Sequence, residues 1–519
     1  MHVPHFLFRS ARHAPANTLW LLPDRRITYA QGAARVARLA HALLSRAPQR
    51  SRVAYLSANR FEGLEVYLAT MAAGMAVVPM NPRGVAEEYA FQLQDSGASV
   101  CFYSEEFKDM AAAIRALAPS VAHWVAIGRG HAGDTPHESL LDGRPETPPE
   151  IGMEPDDVAW LFYTSGTTGK PKGAMETHRN LVTMTQQFLA AVTPDVAPTD
   201  VMFHAAPISH GSASCMWPHL AVGAANAFPL TLQFDAVRVL EAIERYRVTS
   251  SFMPPTMVNL LVQCPERTRY DASSLKNIVY GGGPMYVEHL KAALDAFGPV
   301  FVQIFGQGEA PVTCTWLPKA EHVTNGHPVK ERRLGSAGRE TPGTRVRIHG
   351  PDDAPLPPGQ PGEICVRGDL VMRGYWNRPD ATAETLRGGW LHTGDVGYLD
   401  EDGYLFITDR MKDLIISGGA NIYPREVEEV LLTHPAVRET AVFGVPDDKW
   451  GEAVKATVVL HPGRSAGADE LIAHCRAHLA SYKKPKSIDF VDALPKNATG
   501  KILKRQLRDA YWRDSTRKV

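Results

Sequence analysis

Residues 163–173 read YTSGTTGKPKG and place hydroxyls, glycines and two lysines in one short stretch, immediately after the apolar run at 158–163. Glycines let backbone N–H groups approach phosphate oxygens, the hydroxyls of Thr164, Ser165, Thr167 and Thr168 add donors, and Lys170 or Lys172 adds positive charge. A strand that pours into such a loop is suited to cradling a polyphosphate. It is not a Walker A loop, because that pattern requires Gly at 164 and Ser or Thr at 171, where Thr164 and Pro171 stand.

A second chemically loaded edge comes from the stretch 275–309. LKNIVY reads as a strand and GGGP follows it; Val287, Leu290, Leu294 and Phe297 then trace one helix face, Gly298 ends the helix, and VFVQIF resumes as a strand. In a βαβ unit the crossover makes the two strands parallel. Gly281, Gly282 and Gly283 then share a carboxyl edge with Gly306 to Glu309, and open α/β sheets bind ligands at that edge.

The surrounding chain supplies the elements to hold these loops. The first 150 residues alternate helical patterns, such as 31–44, with short apolar runs at 53–56 and 76–80. From 334 to 408 the pattern changes to short strands, among them TRVRIHG, GEICVRG and GYLFITD. Past Asp409-Arg410-Met411-Lys412 the sequence predicts helices at 424–433 and 468–479 and strands at 439–443 and 453–460. The expected fold class is α/β: a large N-terminal domain of α/β subdomains plus a β-rich subdomain over 1–409, and a small α+β domain over 413–519.

Composition narrows the function. The chain has 519 residues, 44% hydrophobic and 21% charged, with 55 Lys plus Arg against 56 Asp plus Glu. That is an ordinary globular balance without the basic excess that drives nucleic-acid affinity, so no nucleic-acid partner is expected. The longest mostly apolar run, 66–80, is broken by Thr70 and Gly74 and is too short to cross a bilayer, so no membrane span is expected. The N-terminus lacks a secretory h-region, and the six cysteines fall in no CxxC pair or zinc-ligand spacing. Reduced, packed thiols in a cytoplasmic protein are the expectation.

The loop at 163–173 resembles the signature loop of the acyl-adenylate-forming superfamily, which contains acyl- and aryl-CoA synthetases. FGQGE at 305–309, GEICVRGDLVMRGYW at 362–376, GWLHTGD at 389–395, DRMKDLIISGGANIYPREVE at 409–428 and PKNATGK at 495–501 resemble later motifs of that family, in the family's order and over nearly the whole chain.

The resemblance implies an ATP- and CoA-using ligase. Thr164, Ser165, Gly166, Thr167, Thr168, Gly169, Lys170 and Lys172 take the β- and γ-phosphates of ATP. Gly281, Gly282, Gly283 and Pro284 line the adenine site, Phe305 stacks on it, and Gly306, Gln307 and Gly308 complete its edge. Glu309 holds Mg²⁺, a hard cation that seeks oxygen ligands. Asp395 takes the ribose hydroxyls, and Arg410 contacts the ribose or phosphate. Lys501 is the catalytic cation that the C-terminal lid inserts to stabilise charge as carboxylate oxygen attacks the α-phosphate. Residues 410–412 form the hinge with Lys412 at its centre, Gly418 and Gly419 open the channel for the CoA arm, and Trp450 covers the CoA adenine. His210, Gly211 and Ser212 line the acyl pocket. The other lysines of the C-terminal region read mainly as a solvated face.

One position departs from the family. Gly308 stands where a threonine hydroxyl would meet the α-phosphate, so Gln307 or a loop hydroxyl must substitute or adenylation is tuned differently. The small and apolar segments 210–214, 252–256, 281–283 and 312–314 favour an apolar fatty or aromatic monocarboxylic acid, converted through an acyl adenylate to its CoA thioester. Two other readings are an adenylating enzyme that loads a carrier-protein thiol and a non-catalytic nucleotide-binding regulator.

Overall fold

The structure is a computed structural model that describes residues 1–164, 171–229, 231, 233–410, 413–417, 420–447, 449–496 and 502–512, with Arg410 described by its backbone alone. Among these residues two large sheets carry the N-terminal body. In the first, Arg52–Leu56, Ala76–Pro79, Val100–Ser104, His123–Ile127 and Val158–Thr164 run parallel, and Lys172–Thr177 pairs antiparallel with Val158–Thr164. In the second, Val201–Phe203, Ala225–Ala227, Ser250–Met253, Asn277–Tyr280 and Phe301–Gln307 run parallel, and Ala310–Leu317 turns back antiparallel.

The parallel strands are apolar because helices cover both faces. Every residue of Asn277–Tyr280 and of Ser250–Met253 is buried. The crossover between Asn277–Tyr280 and Phe301–Gln307 is the helix Val287–Phe297, which buries Leu290 and Ala293 and ends at Gly298 with φ +76°. Helix Tyr29–Leu44 starts on a capping box, with Thr28 accepting from the Gln31 N–H and Gln31 accepting from the Thr28 N–H. One core runs beneath both sheets, with Trp20, Trp160 and Trp217 fully enclosed.

The β-rich part is an antiparallel sheet of Thr344–His349, Gly362–Gly368, Leu391–Leu399 and Leu405–Arg410. Buried amides fasten it to the body. Asn180 Nδ2 donates to the carbonyls of Asp369 (2.7 Å) and Val371 (2.8 Å), and Gln187 Nε2 donates to the Thr344 hydroxyl (2.9 Å). Such side chains stay in a core because each polar atom has a partner there.

The C-terminal sheet contains Ile415–Ser417, Ala420–Ile422, Val437–Asp447, Gly451–Leu460 and Ser487–Phe490, packed by helices Pro424–Leu432 and Ala468–His478. The paired strands are longer than the sequence pattern suggests, because ten register pairs carry Val437–Asp447 beyond its apolar centre. The expectation of a mainly solvated lysine face needs correction. Lys504 opens a helix, Lys504–Trp512, and pairs with Glu428 at 2.8 Å, while Lys483, Lys486 and Lys496 pair with Glu426, Asp447 and Glu439. All six cysteines are free and buried, and no helix of the described residues is long and apolar enough to cross a membrane.

Candidate functional site

The hairpin Val158–Thr164 and Lys172–Thr177 brings Thr164 opposite Lys172, and Ser165, Gly166, Thr167, Thr168, Gly169 and Lys170 lie outside the described residues. At the hairpin's foot Thr164 Oγ1 donates to Glu309 Oε1 at 3.1 Å, and Tyr375 OH donates to the same oxygen at 2.7 Å. Lys172 Nζ sits 4.3 Å from the centre of the Tyr375 ring. Burial and the Glu309 charge push the Tyr375 phenol above its ordinary value, so it stays a donor. Glu176, enclosed on the same hairpin, is pushed well above the carboxylate range by burial first and by Glu309 second.

This set is all oxygen: one carboxylate and two hydroxyls. Glu309 joins no cluster of three metal-binding side chains among the described residues. It therefore fits a hard cation that completes its shell with phosphate oxygens and water, as Mg²⁺ does beside nucleotides.

Distant residues fix both sides of this arrangement. Asp95 accepts from Tyr163 OH (2.8 Å) and Arg378 Nη2 (2.6 Å), and its carbonyl accepts from Trp376 Nε1 (3.0 Å). Backbone pairing of 372–376 with 173–175 and with Glu309 completes the frame: Met175 N–H donates to Gly374, Trp376 N–H to Gly173 and Met372 N–H to Glu309. The sequence reading did not assign Tyr375 or Asp95. Tyr375 stands in the quoted GEICVRGDLVMRGYW stretch, whereas Asp95 carries no local signal.

Asp395 lies on Leu391–Leu399, opposite the backbone of Arg410, and is 7% exposed. Gln307 Nε2 donates to Asp395 Oδ2 at 2.7 Å and to the Thr393 carbonyl at 3.0 Å. Gln307 is thus engaged with the carboxylate expected to meet ribose, and the Thr164 hydroxyl with Glu309. The gap at Gly308 is closed by packing. A Cβ on Gly308 would lie 2.5 Å from Phe162 Cδ1 and from Thr164 Cγ2, so a threonine has no space there. Next to it, a Cβ on Gly306 would meet the Val312 backbone at 2.5 Å, and Val312 itself has φ +48°, a strained setting for a β-branched residue.

Gly281, Gly282, Gly283 and Pro284 follow Asn277–Tyr280 at the edge shared with Gly306 to Glu309, as the βαβ reading requires. A Cβ on Gly281 would strike the Ile304 carbonyl at 2.5 Å, while Gly282 faces open space at φ +78°. Phe305 is 9% exposed and belongs to one apolar cluster with Ala310, Cys314, Val346 and Leu391.

The acyl candidates divide. His210 is partly buried, meets the Phe162 ring edge-on at 5.7 Å and shares a 2.9 Å contact with Ser209 Oγ. Burial holds its pKa at about 4, so it is neutral at pH 7. A Cβ on Gly211 would lie 3.1 Å from the Phe252 ring, so 211 and 252 line one space. Ser212 does not join them. It is fully buried and bonds His204 Nδ1 at 2.9 Å on the opposite face of its short helix. A small cavity of about 50 Å³, lined by Ala205, Pro207, Phe203, Met257, Phe234 and Arg238 among others, includes none of His210, Gly211 and Ser212.

Lys412, Gly418, Gly419 and Lys501, and the side chain of Arg410, lie outside the described residues. Trp450 is 44% exposed beside Lys449, which excludes a core role for it. The C-terminal sheet meets the body beside the glycine edge: Tyr286 OH donates to Glu428 Oε2 at 2.9 Å, and the Val287 N–H donates to Glu429 at 3.4 Å.

Residues 7–376 match the family described as AMP-binding enzyme, and residues 426–501 match AMP-binding enzyme C-terminal domain. The chain is 42% identical over 506 residues to a feruloyl-CoA synthase from an Amycolatopsis species, across 97% of this chain and 98% of that one. It is 36% identical over 513 residues to the fatty acid–[acyl-carrier-protein] ligase ScoC of Streptomyces coeruleorubidus, across 98% and 96%. Among solved structures, the amide bond synthetase McbA of Marinactinospora thermotolerans superposes with a TM-score of 0.89 at 30% identity, across 98% of this chain and 100% of that one.

Proposed function

Because the chain belongs to the AMP-binding enzyme family, we propose that it is an AMP-forming carboxylate:CoA ligase acting on an apolar aromatic monocarboxylic acid. The observation that carries the catalytic part is the convergence of Thr164 and Tyr375 on Glu309, at the edge that also holds Gln307 on Asp395. The 42% identity to a feruloyl-CoA synthase favours an aromatic acid over a fatty one.

In this reading ATP lies across the glycine edge with its ribose hydroxyls on Asp395 and its phosphates on the 164–172 loop. Mg²⁺, when bound, would be held by Glu309 and would neutralise charge on the phosphates. A carboxylate oxygen of the acid attacks the α-phosphorus, and the bond from that phosphorus to pyrophosphate breaks. Lys501 stabilises the charge that develops. The CoA thiol, having lost its proton, then attacks the carbonyl carbon; a C–S bond forms and AMP leaves with the carboxyl oxygen. Neutral His210 and Gly211 border the acyl group. Residues 410–412 divide a body of 1–409 from a lid of 413–519, whose turn about Lys412 exchanges Lys501 for the channel at Gly418 and Gly419, with Trp450 toward the CoA adenine. Such an enzyme, with ATP and free CoA as substrates, is placed in the cytoplasm.

The test is product analysis with ATP, Mg²⁺, CoA and a panel of hydroxycinnamic, benzoic and C8 to C18 fatty acids. AMP, pyrophosphate and an aromatic thioester in equal amounts are expected, with kcat/KM for hydroxycinnamates at least ten times that for fatty acids. Absence of AMP with every acid sinks the ligase; a fatty-acid preference sinks the aromatic assignment alone. A second reading, transfer to a carrier-protein thiol, is favoured by the 36% identity to ScoC. It wins if an acyl-carrier protein outcompetes CoA for the preformed adenylate.

A further inference from the structure

One face of the β-rich sheet gathers side chains that the proposed reaction does not use. In the register of its strands Arg347 lies opposite Cys365, His349 opposite Glu363, and Cys365 opposite His392, so these side chains project from the same face. The ligand atoms of His349, Cys365 and His392 all lie within 4.8 Å of one another. All three residues are buried, at 6%, 0% and 8% exposure. Cys365 Sγ is 3.4 Å from His392 Nδ1, and Glu363 Oε2 is 2.8 Å from the same nitrogen.

His349 makes this more than a packed sheet face. Neither of its ring nitrogens has a hydrogen-bond partner among the described residues, and its ring stands 5.8 Å from that of His392 and 5.5 Å from Trp390. A buried imidazole always carries at least one N–H and one lone pair or second N–H to satisfy, so an orphaned ring aimed at a thiol and a second imidazole needs an occupant. The donors are sulfur and nitrogen, which disfavour Mg²⁺ and Ca²⁺ and favour a borderline cation.

We propose that His349, Cys365 and His392 bind a zinc-like divalent cation, with water as the fourth ligand. Bonds of about 2.0 Å to nitrogen and about 2.3 Å to sulfur put tetrahedral donors roughly 3.3–3.6 Å apart. The Cys365–His392 pair already has that spacing, and the ligand atom of His349 lies within 4.8 Å of both. The surrounding charges permit the ion. Arg387 pairs with Asp353 (2.8 Å) and Glu363 (3.1 Å) on the outer side, and Arg347 is turned onto the Trp390 ring at 5.1 Å. Binding releases the Cys365 thiol proton to solvent, and the thiolate offsets one of the dication's two charges, with Glu363 and Asp353 close to His392. The ligands lie on three successive strands, the third of which also carries Asp395, and Glu363 Oε1 accepts the Gly394 N–H at 3.1 Å. The ion therefore staples Leu391–Leu399 to its neighbours three residues from Asp395, a structural role separate from the Glu309 site and independent of the activity proposed above.

The experiment uses the full chain with any affinity tag removed and metal stripped by chelator. Titration with Co²⁺ is expected to reach one equivalent, with tetrahedral visible bands and a near-ultraviolet thiolate-to-cobalt band. Zn²⁺ displaces these bands and raises the melting temperature. Cys365→Ser abolishes the thiolate band, and His349→Gln weakens Co²⁺ binding at least tenfold. His474→Gln serves as control, because His434, His474 and His478 cluster in the C-terminal domain without a cysteine; it leaves the signal intact. X-ray absorption of the zinc-loaded wild-type chain is expected to contain one sulfur near 2.3 Å and does not depend on the variants folding. Sub-stoichiometric binding, a zinc shell without sulfur, or cobalt bands that persist in Cys365→Ser and vanish in His474→Gln overturn the proposal.

Discussion

The glycine edge of the body and the seam between body and C-terminal sheet are adjacent, yet they are held in different ways. At the edge these described side chains hold one another: Thr164 and Tyr375 on Glu309, Gln307 on Asp395, and Tyr163 with Arg378 on Asp95. At the seam, among the described residues, Tyr286 meets Glu428, the Val287 N–H meets Glu429, Arg425 meets the Ile407 carbonyl and Lys504 lies 3.7 Å from Asp409. A preorganised edge lowers the reorganisation needed during phosphoryl chemistry. A seam made of separate polar contacts can be exchanged for another, which suits the turn of the lid proposed above.

The sharpest way to break this contrast is Lys501→Ala. If the C-terminal domain supplies a group used only in adenylation, pyrophosphate exchange falls by about 10²–10³-fold, on the order of 3–4 kcal/mol of transition-state stabilisation. Conversion of preformed acyl adenylate to thioester stays within about threefold, a margin of roughly 0.7 kcal/mol. Equal losses in both half-reactions, measured by single turnover, would remove the distinction between a fixed edge and a visiting cation.

Glu309→Gln probes the fixed side. Glutamine keeps an acceptor for Thr164 and Tyr375 but removes the charge, so the frame persists while a divalent cation loses its carboxylate. Adenylation is expected to drop by about 10²-fold at low Mg²⁺, roughly 2.7 kcal/mol, and to recover partly at high Mg²⁺. An unchanged magnesium titration removes Glu309 from the metal site.

Much of this site was legible in the sequence because its parts are local. A strand followed by TSGTTGKPKG, a strand followed by GGGP, and an apolar helix face ending at Gly298 each follow from periodicity and glycine chemistry, and the structure has the strands Val158–Thr164 and Asn277–Tyr280 and the helix Val287–Phe297 at these places. What was not legible depends on residues far apart in the chain. Asp95 clamps Tyr163 and Arg378, 68 and 283 positions away. Ser212 looked like pocket lining from its small neighbours, but the turn of a four-residue helix directs it to His204. Cys365 has no zinc-ligand spacing along the chain; His349 and His392 reach it only through strand pairing. Lys504 read as solvated until Glu428, 76 positions earlier, faced it.

Gly308→Thr tests whether the edge is closed as well as fixed. Restoring the family's hydroxyl forces a Cβ to within 2.5 Å of Phe162 and Thr164. Overpacking of this kind typically costs about 1–3 kcal/mol. A lower melting temperature and roughly tenfold slower adenylation, about 1.4 kcal/mol, are expected. A variant that is as stable as the parent and faster in adenylation would mean that the glycine is a deficit and not an adaptation to Phe162.

The smallest expected effect carries the most information about the seam. The Tyr286 ring is buried with Ile415, Ile422 and Val427 of the C-terminal core, and its hydroxyl alone meets Glu428. Tyr286→Phe therefore keeps the apolar contact and deletes one hydrogen bond to a charged group, while the Val442 N–H and Lys504 still hold Glu428 Oε1. A bond of that type contributes roughly 1.5–3 kcal/mol when fully formed, less where the remaining partners compensate. If this seam belongs to one posture of the domain, the variant weakens that posture only, and the ratio of the two half-reaction rates shifts about three- to tenfold, roughly 0.7–1.4 kcal/mol, with little change in melting temperature. The direction of the shift identifies the half-reaction that uses the contact. Were both rates to fall together, the contact would be ordinary packing present throughout the cycle, and the seam would be as fixed as the edge beside it.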